Sequence, residues 1–371
     1  MKITAIEAIP VEVPLKAGMS TKTAHGEHIT SPYVILKVHT DEGLVGLGEA
    51  TVAPRWSGET SRGCVAIIEE LFEPALVGSD PLAIVQACEK MDEVVKLNPF
   101  AKAAVEMALW DILGKSTDKP LYQLLGGKVR DVIPIKMVIG AFAVEDAIVL
   151  ARRFLDQGFQ CLKVKVGLDV EGDVERVQAV RDLAGPDVRI GVDANCGWNV
   201  TDAIKALKAM ESLDVLFAEQ PVGREDPTLM AQVKQATSIP VMADESVFTP
   251  TEAVTIVREN AAYVISLYPG KNGAIYASRR IAQIAKSAGI VCHMGSNLEL
   301  GIATAAMAHL AAAEQTIDSE TYPADILGPL YHDSDLLETS VQIGPEGANP
   351  PEGPGLGVTL DEDALNTYRV G

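Results

Sequence analysis

Three carboxylates at nearly equal spacing carry the clearest chemical signal in this chain: Asp193 in RIGVDAN, Glu219 in VLFAEQP and Asp244 in PVMADES. Each closes a short apolar run, and the intervals of 26 and 25 residues are each the length of one strand-plus-helix unit. That spacing places the three acids on adjacent parallel strands at one level. In a parallel barrel this level is the C-terminal rim, where active sites are built. A lone Asp at a strand end is an ordinary turn residue. Three acids in register repel one another unless a cation holds them, and an all-oxygen site with open positions suits Mg²⁺ or Mn²⁺.

One unit upstream lies the lysine pair Lys163 and Lys165, in QCLKVKVG. Alternation along a strand puts Cys161, Lys163 and Lys165 on one face and Leu162, Val164 and Val166 on the other. With the apolar set turned to the surrounding helices, both lysines point into the barrel lumen. Two ammonium groups close together, partly buried, are expected to lower each other's pKa toward the range of a general base.

The elements that must position these groups fall into two blocks. Residues 1–60 read as strands, ITAIEAIPVEV, YVILKVHT and LVGLGEA, with a polar loop from Ala17 to Ser31 between the first two. Helical periodicity follows in CVAIIEELFEPAL, PLAIVQACEKMDEVV and FAKAAVEMALWDILGK. From Ile133 strands and helices alternate: IPIKMVI, CLKVKVG, VRIGVDA, DVLFAEQ, IPVMADE, AAYVISLY, GIVCHMG and QTIDSE are the eight strands. This is an α/β barrel pattern. No Gly-rich dinucleotide or phosphate loop follows any strand. A capping domain over 1–130, completed by a Gly- and Pro-rich tail from about 341 to 371, and a barrel over 131–340 are expected.

With 51 acidic against 31 basic residues the net charge is −20, which argues against nucleic acid or an anionic membrane as partner. An anionic substrate would then need a local metal or lysine cluster. The start of the chain alternates like a strand rather than a signal peptide, and no run approaches membrane-spanning length. Five scattered cysteines without metal-type spacing are expected to be reduced thiols, as in a cytoplasmic protein.

The segments GLGEATV, LYQLLGGKVRD, KVKVG, DAN, EQP, ADES, KNGA, ILGPL and PGLGVTLDE together make the whole chain resemble the enolase superfamily, in its muconate lactonizing (muconate cycloisomerase) subgroup. The resemblance implies an α+β capping domain on a modified (β/α)7β barrel. It implies Mg²⁺ or Mn²⁺ on Asp193, Glu219 and Asp244, with Lys165 as acid/base and Lys163 tuning it. The implied chemistry is proton transfer α to a substrate carboxylate, with the metal neutralising the enediolate. Symmetric homo-oligomers, often octamers, are common among such proteins.

The chain departs from that pattern at the sixth barrel strand, VISLYPGKNGA. Where the family places a second catalytic lysine, this sequence has Tyr268, and Lys271 three residues on is the alternative candidate. With Lys165 as the one strong base, cycloisomerisation or β-elimination is favoured over inversion by racemisation or epimerisation. His293 reads either as a second base or as a structural histidine without an acid to orient it. Glu299 is expected to support the site, and Asp325, in competition with Glu320, to take the eighth-strand acid's place. Asn195 and Glu245 follow the metal candidates in sequence and join the site. Specificity is expected from the loops Gly18–Ser31 and Val52–Glu59, where Arg55 could bind a distal carboxylate. The expected reaction is metal-dependent cycloisomerisation of a small muconate-like dicarboxylate, with a dehydratase or racemase as alternative.

Overall fold

The computed structural model describes residues 1–370. Strand β1 (Ile3–Pro14) leads into a small hairpin, β2 (Thr21–Thr23) and β3 (Gly26–His28), and then into β4 (Thr30–Thr40) and β5 (Val45–Ala50). The long strands form an antiparallel sheet in the order β1–β4–β5. Both of its faces are covered, which is why YVIL is an unbroken apolar run. Tyr33 and Ile35 join the main core on one side, and Val34, Leu36 and Val38 pack under the helices on the other. Helix Pro99–Thr117 lies across the sheet with 12 of its 19 residues buried. Gly46 and Gly48 of β5 permit its close approach: a Cβ on Gly48 would stand 1.9 Å from the Ala104 carbonyl oxygen.

The second block is a parallel sheet in strict chain order: β6 (Met137–Ile139), β7 (Cys161–Lys165), β8 (Arg189–Asp193), β9 (Val215–Glu219), β10 (Val241–Ala243), β11 (Val264–Leu267) and β12 (Val291–Met294). Helices fill each crossover, so the sheet curls into a barrel.

The sequence reading gave an eighth strand at QTIDSE; the structure has an irregular segment there. Residues Ile317 to Asp325 close the gap between β12 and β6 through two isolated bridges, Cys292 with Ile317 and Ile135 with Ala324. The Asp325 N–H donates to the Met294 carbonyl (2.9 Å) and the Ala324 N–H to that of Pro134 (2.8 Å). The turn at Ser319–Thr321 and the missing N–H of Pro323 prevent a continuous ladder.

The C-terminal tail returns to the N-terminal block. Arg369 bridges to Val11, Glu362 pairs with Lys37 at 2.7 Å, and the Leu356 N–H donates to Asp111 at 2.9 Å. Long-range carboxylate caps tie cap and barrel together. Glu106 accepts from the N–H groups of Ile275 and Tyr276 at the start of helix Ile275–Ser287. Glu49 does the same for Leu300 and Ala303 at helix Gly301–Ala313. Among the described residues no helix is long and apolar enough to cross a membrane.

Candidate active site

The barrel lumen is filled in layers because alternate residues of each strand point inward. Phe217, Met242 and Val264 form an apolar floor. Above it sits a polar layer of Lys136, Lys163, Glu219, Ser266, His293 and Asp325, all buried. At the rim stand Lys165, Asp193, Asp244 and Tyr268. Strand register aligns Lys165 with Asp193 and Asp193 with Glu219, and Met242 with Glu219, so Asp244 follows two residues on. The three carboxylates inferred from spacing alone are therefore neighbours on three adjacent strands.

Each of these acids meets an ammonium group. Lys165 Nζ donates to Asp193 Oδ2 (2.5 Å) and Asn195 Oδ1 (2.8 Å). Lys163 Nζ lies 2.8 Å from Glu219, 2.7 Å from Asp325 and 3.3 Å from Asp193. Lys271 Nζ reaches Asp244 Oδ1 at 2.6 Å. Burial pushes the Asp244 carboxyl well above its ordinary range and raises that of Glu219; at Asp193 burial acts the same way, but Lys165 and Lys163 outweigh it and lower the value.

The reading that the paired lysines lower each other's pKa is corrected for Lys163. Desolvation does push it down, but Asp325, Glu219 and Asp193 together raise it well above the ordinary lysine value. Lys163 is thus a fixed cation.

Lys136, the residue just before β6, was missed. It is fully buried, and its Nζ bonds to His293 Nε2 (2.5 Å) and the Pro323 carbonyl (2.6 Å), with Asp325 Oδ1 3.0 Å away. A signal existed, since IPIKMVI places Lys136 on an inward position just as KVK does. His293 is consumed by this contact: Nε2 accepts from Lys136, and Nδ1 stands 3.2 Å from Ser266 Oγ. Burial first, then Lys136, holds the imidazole well below its ordinary pKa, so it is a neutral structural acceptor.

Lys271 also turns away from the lumen mouth. Its Nζ has three acceptors, the Asp244 carbonyl (2.9 Å), Asp244 Oδ1 (2.6 Å) and the Ser266 carbonyl (2.6 Å), and it is fully buried. Tyr268, not Lys271, lines the cavity. Asp325 reaches the site as well, whereas Glu320 is exposed. Glu299 sits beneath, accepting from Ser296 and the Asn297 N–H. Glu245 accepts from Asn195 Nδ2 (3.0 Å) and lies 3.4 Å from His25 of the capping hairpin.

Above this layer is a cavity of about 530 Å³. Its walls are Lys163, Lys165, Asp193, Asn195, Asp244 and Tyr268 below, and the hairpin and residues Thr51–Trp56 above. Both loops expected to set specificity therefore cover it. Arg55 is exposed, and its Nη1 donates to the His25 carbonyl (2.7 Å), fastening one loop to the other.

Glu219, His293 and Asp325 also offer ligand atoms within 4.8 Å of one another, but the ammonium groups of Lys163 and Lys136 are bonded among them. The trio of Asp193, Glu219 and Asp244 is the better donor set for a hard divalent cation. It is all oxygen and buried, and Glu219 Oε1 and Asp244 Oδ2 accept no hydrogen bond among the described residues.

Family models match both halves of the chain: the mandelate racemase / muconate lactonizing enzyme N-terminal domain over residues 5–126, and an enolase C-terminal domain-like region over 146–364. The chain belongs to the mandelate racemase / muconate lactonizing enzyme family. Among its relatives is the N-succinyl-L-Arg/Lys racemase of Bacillus cereus, 33% identical over all of this chain and 98% of that protein; its crystal structure matches with a TM-score of 0.95. Muconate cycloisomerase 1 of Rhodococcus opacus is 34% identical, with 99% and 98% of the two chains covered. A dipeptide epimerase of Enterococcus faecalis, solved with Mg and the dipeptide L-Leu-L-Tyr, has a TM-score of 0.91 at 33% identity, covering 97% and 100%. This family member is therefore an enzyme of the enolase superfamily, equally similar to relatives that invert a centre and relatives that cycloisomerise.

Proposed function

We propose that this protein catalyses a one-base, metal-dependent cycloisomerisation of a muconate-like dicarboxylate. Lys165 moves the proton on the carbon α to one carboxylate while the other carboxylate forms, or leaves, a lactone ring at the neighbouring carbon. The observation that carries this reading is the far wall of the cavity. Strand β11 lies four strands round from β7, and it presents Tyr268 to the lumen where inversion would need a second base. Burial raises the Tyr268 hydroxyl well above its ordinary pKa, so it stays a neutral phenol. Identity near 33% to racemases and cycloisomerases alike does not decide between them.

Asp193, Glu219 and Asp244 would hold Mg²⁺ or Mn²⁺, which when bound neutralises charge developing on the substrate carboxylate. The chain does the rest. Asn195 orients Lys165 through its Oδ1 and is itself held by Glu245. In the lactonising direction the Lys165 ammonium delivers its proton to the α-carbon; in ring opening the amine removes it. Lys163, bound by three carboxylates, supplies a positive field without exchanging protons. Arg55 at the mouth provides the positive group that a second carboxylate requires, and His25 and His28 line the cavity beside it.

Dehydration of a β-hydroxy carboxylate is the second reading, favoured by the unpartnered Tyr268 hydroxyl beside the cavity. Loss of diene absorbance of cis,cis-muconate, measured with Mn²⁺ and with an EDTA control, separates the two. Metal-dependent loss that disappears in Lys165→Ala, with Mn²⁺ binding retained, supports cycloisomerisation. No loss in the metal-loaded protein refutes that substrate. Appreciable turnover by Lys165→Ala refutes the assignment of the base.

A further inference from the structure

We infer that Tyr268 Oη is the hydrogen-bond donor to the substrate oxygen that gains negative charge when the bond between it and the β-carbon breaks. The inference rests on the one-base reading above and gives that reaction its second working group.

The other donors of that wall are already committed. Lys271 is spent on three carbonyl and carboxylate oxygens, and His293 on Lys136 and Ser266. Ser296 Oγ donates to Glu299, and Asn297 Nδ2 to the Thr51 carbonyl. Tyr268 is different. Its backbone N–H is fixed on Asn272 Oδ1 (3.0 Å) and its ring stacks on Trp56 (5.9 Å between centroids, 27° between planes). The Lys271 ammonium stands 4.8 Å from the ring centroid. Ring and backbone are thus immobilised, yet the hydroxyl makes no hydrogen bond among the described residues and is not among the sealed, unsatisfied polar atoms. An oriented donor with no protein acceptor, on the wall of the cavity and across the barrel from Lys165, is pre-organised for a substrate oxygen.

Lys165 Nζ takes the α-proton, and the C–H electron pair becomes the double bond between the α- and β-carbons. The β-carbon–oxygen bond breaks, leaving its pair on oxygen, toward which the Tyr268 O–H points. In lactone ring opening the oxygen leaves as part of a carboxylate and needs only the hydrogen bond. In dehydration it leaves as water, and the phenol recovers its proton from solvent. Lactonisation is the same sequence reversed.

Tyr268→Phe removes one oxygen and keeps the stack on Trp56. Wild type, Tyr268→Phe and Lys165→Ala, loaded with Mn²⁺, would be given muconolactone, cis,cis-muconate and a series of β-hydroxy carboxylates. Carbon–oxygen bond making or breaking is read by absorbance, and exchange of the α-proton with D₂O by proton NMR. The expected result is a roughly 100-fold fall in carbon–oxygen chemistry in Tyr268→Phe, the usual cost of removing one such donor. Its α-proton exchange should stay within about threefold of wild type, while Lys165→Ala loses both. Unchanged carbon–oxygen chemistry in Tyr268→Phe overturns the inference, as does an equal loss of both activities, which would mark a residue that merely shapes the site. A wild-type enzyme that inverts an α-carbon without carbon–oxygen cleavage overturns the one-base reading itself, whatever the variant does.

Discussion

Replacing Lys271 with Met should damage the stability of the metal-free protein rather than the proton-transfer machinery. The ammonium is fully buried, and all three of its donors are used on the Asp244 carboxylate, the Asp244 carbonyl and the Ser266 carbonyl. Methionine fills the volume but leaves a buried carboxylate without its partner and takes one donor from each of two carbonyls. Breaking a buried ion pair in this one-sided way costs about 3–5 kcal/mol. For a chain of 371 residues the unfolding entropy is about 0.8 kcal/mol per degree, so the melting temperature should fall by about 4–6 °C. Lys165→Met is the control, because Asp193 then keeps Lys163 at 3.3 Å and the loss should be smaller. Calorimetric melting in EDTA and in excess Mg²⁺ checks both. Added Mg²⁺ should raise the Lys271→Met midpoint more than that of wild type, because a divalent cation on the rim carboxylates replaces the missing charge. A Lys271→Met protein that melts like wild type in EDTA yet has lost α-proton exchange would refute the reasoning, since it would place Lys271 in the lumen as a base.

Gly48→Ala should destabilise the cap by about 3 kcal/mol or more, read by denaturant unfolding, because its Cβ would meet the Ala104 carbonyl oxygen at 1.9 Å and helix and strand must part. Burial pushes the Glu106 carboxyl up to about 7 against the pull of its bonds to Tyr276 and Ile275. The folded protein therefore holds this proton more tightly than the unfolded chain, and the associated stability is present below about pH 4.5 and lost as the pH rises through 7. Glu106→Gln should flatten that slope by about 3 kcal/mol in unfolding measured across pH 4.5–8; an unchanged slope contradicts the assignment. Arg55→Ala should release the tip of the capping hairpin, raising KM for a dicarboxylate several-fold with little change in melting temperature; an unaltered KM would remove Arg55 from substrate capture.

What could be read in the sequence was whatever repeats at a fixed period. Asp193, Glu219 and Asp244 follow the strand–helix unit, and Lys163 and Lys165 follow strand alternation, so local spacing sufficed to place both sets. Long-range partners carry no such mark. Lys163 is raised rather than lowered in pKa chiefly because Asp325 arrives from 162 residues away, through a segment whose Pro323 and turn keep it from being a strand at all. The Glu106 and Glu49 caps span 169 and 251 residues, and within their own elements they are just acids in apolar runs. Lys136 was legible by the same alternation as the KVK pair but lacked a neighbour to call attention to it.

The charge pattern of the finished site has a chemical consequence that neither residue list nor fold supplies. Four lysines surround this site, and three of them, Lys136, Lys163 and Lys271, have their donors turned to fixed protein acceptors. Lys165 lines the cavity with fewer anchors, a carboxylate that a metal would claim and an amide that would remain. Were a divalent cation to take Asp193, Lys165 would lose its Asp193 bond and keep Asn195, so metal loading would free the proposed base. A barrel that carried four mobile lysines could protonate a substrate from several directions. By pinning three of them and setting a neutral phenol on the opposite wall, this one restricts proton exchange to a single face, which is the geometric requirement of the one-base chemistry proposed for it.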